Sequence, residues 1–246
     1  MIDTHAHLSA LDDAEAAVAR AAEAGVTRIL TVGTDVDDCR RALALADRND
    51  GVYAILGIHP HEAARVEEGG VREICRLQNH PKAVAVGEIG LDWFRNYAPR
   101  EDQLRLFEAQ LSMAADIGKP VVIHTRAADD DTLAVLADFT GTVVLHCFSS
   151  PHMLPTAVGR GWYVSFAGNA TFPKAVDLRL AARRVPADRI LAETDSPYLA
   201  PQPVRGKPNE PANVVHTLAA LARARGEAPG ELEAQIELNA AACFGL

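Results

Sequence analysis

The sequence PREDQLRLFEAQLSMAADIGKPVVIH, residues 99–124, contains one complete helix-to-strand unit. Pro99 and the acidic residues behind it are helix start signals, and apolar side chains then recur at every third or fourth position as far as Ile117. Gly118 is a helix stop signal, and the apolar run at 121–123 has the composition of a buried strand. The segment therefore predicts an α/β fold in which helices alternate with parallel strands.

Units of the same kind extend in both directions along the chain. Continuous apolar runs are typical of parallel strands covered on both faces, and they predict strands at 1–4, 28–32, 53–57, 83–87, 121–124, 142–146, 163–166 and 190–193. Helical periodicity predicts helices at 12–24, 37–46, 71–78, 99–117, 130–137, 151–158, 174–182, 213–224 and 231–242. Eight units of about 31 residues each are typical of a (β/α)8 TIM barrel, so we expect one such domain over residues 1–246.

Composition and charge restrict the classes of function. Hydrophobic residues make up 48% of the chain, which is enough for a sizeable core. The formal net charge of −9 argues against a protein that grips long nucleic acids through a broad basic face. This net charge is compatible with a substrate that is held at one point by cations, because bound divalent ions would add positive charge at the substrate site.

The cysteines and the apolar runs predict the compartment. Cys39, Cys75, Cys147 and Cys243 lack C-x-x-C spacing, so we expect reduced structural thiols. No apolar run approaches the roughly 18 residues of a membrane span, and charged groups begin at Asp3, where a leader would be apolar. The chain is therefore expected to be a soluble, cytoplasmic protein, and we expect it to be a monomer.

Five of the predicted strands end in a residue type that binds metals. These residues are His5 and His7 after the first strand, Glu88, His124 and His146 after three middle strands, and Glu193 with Asp195 after the last strand. Because a barrel carries its chemistry where the strands end, they predict a single metal site at that rim. Mixed imidazole and carboxylate ligands suit Zn²⁺ or Mn²⁺, and Mg²⁺ also fits when waters complete its shell.

The middle strands predict a bridging carboxylate. Glu88 follows a very apolar run, and a carboxylate buried there needs a partner to offset the cost of losing its hydration. We expect Glu88 to bridge two metal ions. The alternative is an exposed residue just past the strand, salt-bridged to a neighbour such as Arg126. His124 and His146 would complete a second metal position with Glu88, although either histidine alone is more often a hydrogen-bonded core residue.

The last strand predicts a proton acceptor. Asp195 and Glu193 are two residues apart, so their side chains point the same way. Asp195, nearest the mouth, would ligate the first metal and accept a proton from water. Glu193, one layer deeper, would orient the ligands without binding the ion.

Cationic side chains near these strand ends predict substrate contacts. Arg126 lies two residues beyond His124, and Arg205 and Lys207 lie in the proline-rich segment after the last strand. Guanidinium groups suit bidentate phosphate contacts, whereas the alternative for each cation is a solvated surface charge. His59 is also expected to contact substrate or an extra ion.

Together these motifs resemble the TatD family of metal-dependent nucleases, within the amidohydrolase-like barrel superfamily. The matching segments are IDTHAHL at 2–8, GIHPH at 57–61, GEIGLD at 87–92, PVVIHTR at 120–126, HCFS at 146–149, ETDSPYL at 193–199 and RGKPNEP at 205–211. The resemblance implies one ion held by His5, His7, Glu88 and Asp195 and another held by Glu88, His124 and His146. It also implies phosphodiester hydrolysis on DNA, often from the 3′ end. Ser9 and Ser150 depart from the usual family pattern, which bears on loop shape more than on the reaction.

The leading hypothesis is therefore a DNase that acts as a 3′–5′ exonuclease on single-stranded or frayed DNA, with RNA as a second substrate. A hydroxide bridging two divalent ions (Mg²⁺, Mn²⁺ or Zn²⁺) would attack phosphorus, with Glu88 and Asp195 as the catalytic carboxylates. Its role would lie in DNA repair or degradation. One alternative is a metallohydrolase of carbonyl esters or amides, such as a D-aminoacyl-tRNA deacylase. Another is a metal-binding scaffold without activity.

Overall fold

The structure, a computed structural model, describes all residues from Met1 to Leu246. Its strands are β1 (Ile2–Ala6), β2 (Arg28–Gly33), β3 (Val52–Leu56), β4 (Ala83–Asp92), β5 (Val121–Arg126), β6 (Val143–Leu145), β7 (Tyr163–Phe166) and β8 (Ile190–Ala192). They form one sheet in chain order, with parallel pairing. Eight strands that alternate with helices in this order confirm the predicted (β/α)8 barrel fold.

Nine α-helices connect and follow the strands. They are α1 (Ala14–Glu23), α2 (Val36–Arg48), α3 (Gly70–Leu77), α4 (Arg100–Ile117), α5 (Asp129–Val135), α6 (Leu154–Gly159), α7 (Val176–Arg184), α8 (Val214–Arg225) and α9 (Pro229–Phe244). The signals read from the sequence act as expected in α4, which Pro99 caps and which Gly118 ends in the left-handed conformation. No helix has the length and apolar composition that crossing a membrane requires.

The chain divides into two compact units. The first contains Met1–Thr31 and His146–Leu246, and the second contains Val32–Leu145. The largest fully buried side chains include Ile2, Leu8, Ile29, Leu30 and Phe166 in the first unit and Ile55, Leu56, Ile74, Ile89, Leu91, Phe107 and Ile123 in the second. Most come from the strands, so each unit's core lies along its share of the sheet. A single domain over the whole chain stays a prediction.

The fourth strand differs from its predicted bounds. It does not end at Gly87 but continues to Asp92, because its second half pairs with β5 as far as Arg126. The register shifts between Gly87 and Ile89, so the residue between them lies inside the strand rather than after it. That residue is Glu88, which is only 3% exposed. The alternative of an exposed residue past the strand is therefore wrong.

The continuation of β4 depends on a glycine. Gly90 has a φ of 139°, and a Cβ added there would overlap the backbone carbonyl oxygen of His124. We expect Gly90→Ala to lower the free energy of unfolding by about 3 kcal/mol, since strain and overlap act together. Urea denaturation measures the change. Gly230→Ala is the control because a Cβ there meets open space, and equal stability of the two variants would contradict the assignment.

Candidate metal centre

The first unit brings imidazole and carboxylate groups together at the ends of its strands. His5, His146 and Asp195 each offer one ligand atom, and these atoms lie within 4.8 Å of one another. The His5 and His146 rings stack with centroids 3.9 Å apart. His7 Nε2 lies 3.5 Å from Asp195 Oδ1, and His5 Nε2 lies 4.0 Å from the same oxygen. Three buried imidazoles around one carboxylate form a suitable donor set for Zn²⁺ or Mn²⁺.

Backbone pairing between β1 and the segment after β8 explains this proximity. The amide of Asp195 donates to the carbonyl of His5 at 2.9 Å, and the amide of His7 donates to the carbonyl of Ser196 at 2.7 Å. Asp195 itself has a positive φ of 56°, which is uncommon for a residue other than glycine. Such backbone conformations concentrate at functional sites, because the surrounding structure must hold them.

The surroundings of Asp195 favour its ionised form. Burial alone would raise the pKa of this carboxyl, but the hydrogen bond with His7 and the nearby His146 and His5 lower it below its ordinary value. At neutral pH the side chain is therefore a carboxylate. It is able to bind a cation or to accept a proton.

Glu193 lies beneath this group and holds it in place. Its Oε1 lies 3.1 Å from His146 Nδ1 and accepts the backbone amide of Cys147 at 2.7 Å, while its Oε2 accepts the Ser165 hydroxyl at 2.5 Å. If Nδ1 of His146 donates to Glu193, Nε2 keeps the lone pair that a metal requires. These are the contacts expected of a carboxylate that orients a ligand.

Asp3 is a supporting residue that the sequence analysis missed. Its carboxyl is fully buried and accepts the Thr194 amide at 2.9 Å, the Thr194 hydroxyl at 2.6 Å and the His5 amide at 3.3 Å. Burial raises the pKa of Asp3 to about 8 despite these hydrogen bonds. The side chain therefore ties β1 to the segment after β8. Its signal was the alternation of Asp3, His5 and His7 along one face of the strand.

The second unit also carries a group of ligand-type residues. His59, His61 and His124 offer ring nitrogens within 4.8 Å of one another. Glu88 Oε1 lies 2.6 Å from His124 Nδ1 and 3.4 Å from His59 Nε2. Burial lowers the pKa of His59 to about 4, so its imidazole is neutral at pH 7. A buried neutral imidazole and two half-buried ones next to a carboxylate again suit a divalent metal.

Asp92 is the second supporting residue that the sequence analysis missed. Its Oδ2 lies 2.8 Å from His61 Nε2 and 3.3 Å from His124 Nε2, while its Oδ1 accepts the amides of Phe94 and Arg95. Burial would raise the pKa of Asp92, but these hydrogen bonds keep it below its ordinary value. His124 therefore lies between two carboxylates, which fixes the orientation of its ring.

Two glutamines on α4 fix the backbone of this second group. Gln110 accepts the Ile58 amide at 2.8 Å and donates to the Ile58 carbonyl at 2.9 Å, next to His59. Gln103 accepts the Asp92 amide at 2.9 Å and donates to the Asp92 carbonyl at 3.3 Å. Both side chains are fully buried. Their sequence signal was a polar residue within the apolar stripe of α4, repeated after two helical turns.

The predicted substrate-binding cations lie outside these groups. The Arg126 guanidinium is 4.1 Å from the ring centroid of Phe94, and the Arg205 guanidinium is 3.8 Å from that of Phe172. Lys207 is exposed. His59 alone among the predicted substrate contacts lies within a ligand group. The phosphate-binding roles of these residues stay predictions.

The contacts of Asp92 lead to a testable prediction. We expect Asp92→Asn to weaken metal binding about 10- to 100-fold, because asparagine keeps an oxygen for the two backbone amides but turns an NH₂ group toward the imidazoles. Titration of apoprotein with Zn²⁺ measures the affinity. Asp131→Asn is the control, since Asp131 contacts Trp93 at an exposed position. Unchanged affinity in Asp92→Asn would refute the supporting role.

Comparison with known proteins identifies the family of the chain. The family model described as TatD related DNase matches residues 2–245. The chain belongs to the TatD family. A TatD relative from Mycobacterium tuberculosis, named an uncharacterized metal-dependent hydrolase, is 38% identical and aligns over 100% of this chain and 98% of its own length. The present TatD-family protein is thus a metal-dependent hydrolase.

Other TatD relatives are as similar. A protein from Salmonella typhimurium named 3′-5′ ssDNA/RNA exonuclease TatD is 36% identical, with 94% of this chain and 93% of that protein aligned. The crystal structure of YJJV, a TatD homologue from Escherichia coli K12, superimposes with a TM-score of 0.94 at 31% identity, covering 100% of this chain and 98% of the homologue. The same barrel fold therefore extends over the whole chain.

Proposed function

We propose that this TatD-family hydrolase is a 3′–5′ exonuclease that acts on single-stranded or frayed DNA and also accepts RNA. The observation that carries the proposal is the set of buried imidazoles and carboxylates at the carboxyl ends of the strands in both units. The name of the Salmonella relative supports the choice of substrate. At 36% identity over nearly the full length, a shared reaction is the simplest expectation.

Two divalent ions complete the proposal. One would be held by His5, His7, Glu88 and Asp195, and the other by Glu88, His124 and His146. When bound, such ions supply Lewis-acid charge to a phosphodiester and make water nucleophilic at neutral pH. Mn²⁺ and Zn²⁺ suit the imidazole content, and Mg²⁺ would need waters to complete its shell.

The chain's own residues then have distinct tasks. Asp195 is ionised in its surroundings and accepts the proton that the attacking water loses. Glu193 holds the His146 ring, and Asp92 holds the rings of His61 and His124.

Substrate positioning would fall to four residues. Arg126, Arg205 and Lys207 would hold nonbridging phosphate oxygens, and His59 would contact the substrate from within the second ligand group. The three cations would supply local positive charge to a chain whose net charge is −9.

An assay with end-labelled DNA tests the activity and its polarity. Linear single-stranded oligonucleotides labelled at the 3′ end should release labelled mononucleotide first, whereas a 5′ label should appear last. A covalently closed single-stranded circle of the same sequence is the matched control. Cleavage of the circle at the same rate as the linear strand would contradict exonuclease action.

A second set of substrates separates phosphodiesterase from carbonyl chemistry. Bis-p-nitrophenyl phosphate should be hydrolysed in the presence of Mn²⁺, Zn²⁺ or Mg²⁺, while simple carboxylic esters and D-aminoacyl-tRNA should not. Because the same activated water could attack a carbonyl, the fold alone does not decide between them. Faster hydrolysis of the aminoacyl ester would favour the deacylase.

A further inference from the structure

A groove of about 500 Å³ lies between α7 and α8 in the first unit. One face of α7 lines the groove with Val176, Arg179, Leu180 and Arg183, whose spacing of three, one and three residues places them on the same side of the helix. Helix α8 contributes Arg223, which lies between small alanine side chains. Val176 and Leu180 are 52% and 50% exposed. The groove therefore combines apolar surface with three guanidinium groups, and Ala170, Thr171 and Pro173 complete its lining.

The charge of this groove is opposite to that of the whole chain. The two helices that form it contain five arginines and one acidic residue, Asp177, which does not line the groove, whereas the chain has a net charge of −9. No hydrogen bond or ion pair in the structure involves the side chain of Arg183 or Arg223. Both are exposed. Cations grouped without acidic partners make a local binding surface for an anion.

Arg179 has a different task in the same groove. Its Nη1 donates to the carbonyls of Ala170 and Phe172 at 3.0 and 2.7 Å, and its Nη2 donates to that of Pro173 at 3.1 Å. These bonds fix the segment that follows β7 against α7. Arg179 therefore shapes the wall of the groove and leaves Arg183 and Arg223 to meet a ligand.

The loop that follows β8 contacts the lining of the groove. The Thr171 hydroxyl, at the end of the groove, accepts the backbone amide of Gln202 at 2.8 Å. The Arg205 guanidinium lies 3.8 Å from the ring centroid of Phe172, the next residue. Since Asp195 begins this loop, the loop links the first ligand group to the lining of the groove and places Arg205 beside Phe172.

We propose that the groove between α7 and α8 binds the phosphate backbone of a single-stranded nucleic acid several nucleotides away from the bond that is cut. The proposal rests on the proposed function and extends it to the path of the strand. Planar guanidinium groups suit bidentate phosphate contacts, and exposed apolar side chains accept bases without reading their sequence. An acidic peptide would also meet the arginines, but the contacts of the groove lining with the loop that carries Arg205 favour a long polyanion that starts at the loop after β8.

A double variant tests this path. Arg183→Gln combined with Arg223→Gln removes the two unpartnered cations, and both positions are exposed, so folding should be unaffected. The matched control is Arg72→Gln combined with Arg184→Gln, which changes the net charge equally outside the groove. Hydrolysis of a thymidylate 20-mer and of a 4-mer is measured for each protein with Mn²⁺ present.

We expect the double variant to raise KM for the 20-mer about five- to tenfold and to leave kcat and the 4-mer kinetics unchanged. The slope of log Kd against log salt concentration for a phosphorothioate 20-mer should decrease by about 1.4, because the variant loses two phosphate contacts on a single strand. Equal KM values for the 20-mer in the double variant and its control would overturn the proposal. The proposal would also be overturned if the double variant bound a 20-residue polyglutamate peptide less tightly than the wild type but bound the 20-mer equally well.

A failure of the groove proposal can be distinguished from a failure of the exonuclease proposal. A wild-type protein that hydrolyses neither oligonucleotide would refute the exonuclease. The salt dependence of phosphorothioate 20-mer binding would still decide whether the groove holds a nucleic acid strand, because that titration requires no hydrolysis.

Discussion

Substitution of Glu88 by glutamine is expected to lower metal content and phosphodiester hydrolysis together, with the rate falling about 10²- to 10³-fold. Glu88 is 3% exposed, and its Oε1 lies 2.6 Å from His124 Nδ1 and 3.4 Å from His59 Nε2. Glutamine has the same shape but no charge, so it retains packing while removing a ligand. The protein should therefore stay folded.

Two measurements on one preparation check the Glu88 prediction. Metal per chain is determined by plasma mass spectrometry, and kcat/KM is determined with a linear single-stranded oligonucleotide. Glu108→Gln is the matched control, because Glu108 is exposed on α4 and has no partner in the structure. A Glu88→Gln protein with full metal content and full activity would refute the bridging role.

Substitution of Asp195 by asparagine is expected to reduce kcat about 10²- to 10⁴-fold, the range for loss of a general base. Asparagine is able to fill the space beside His7 but is unable to accept a proton. Because the hydrogen bond with His7 and the nearby imidazoles favour a carboxylate, the wild-type residue is ready for this role at neutral pH.

The Asp195 prediction separates proton transfer from metal binding. Metal content of Asp195→Asn is restored with excess Mn²⁺, and the rate is measured again, with Asp138→Asn at an exposed position as the control. We expect kcat to stay low at saturating metal. Recovery of wild-type kcat under those conditions would show that Asp195 acts as a ligand only.

The sequence predicted the fold well because the periodicity of apolar residues shows which side chains of a helix or strand are buried. The apolar run of β5 and the start and stop signals of α4 place both elements close to their observed bounds. The end of β4 was predicted wrongly, since a strand that accommodates Glu88 and Gly90 no longer has a continuous apolar run. Polar residues that a strand contains for chemistry interrupt the pattern from which its end is read.

Supporting residues were harder to predict than ligand-type residues. A histidine after an apolar strand is a strong local signal of a metal ligand. The role of Asp92, in contrast, follows only from its contacts with His61 and His124. Gln103 and Gln110 likewise act through the backbone groups of Asp92 and Ile58. Such partners depend on tertiary structure, so the spacing of residues along the chain marks their positions without showing which groups they contact.

The central claim is that Glu88 is shared by two divalent ions, with imidazoles and Asp195 as the other ligands. A crystal structure of the metal-loaded protein, with anomalous scattering measured on both sides of the Mn and Zn edges, tests this most directly. We predict two anomalous peaks, one bound by His5, His7 and Asp195 and one by His124 and His146, with a Glu88 oxygen on each. Two peaks without a Glu88 oxygen, or one peak bound by His59 and His61 alone, would contradict the account.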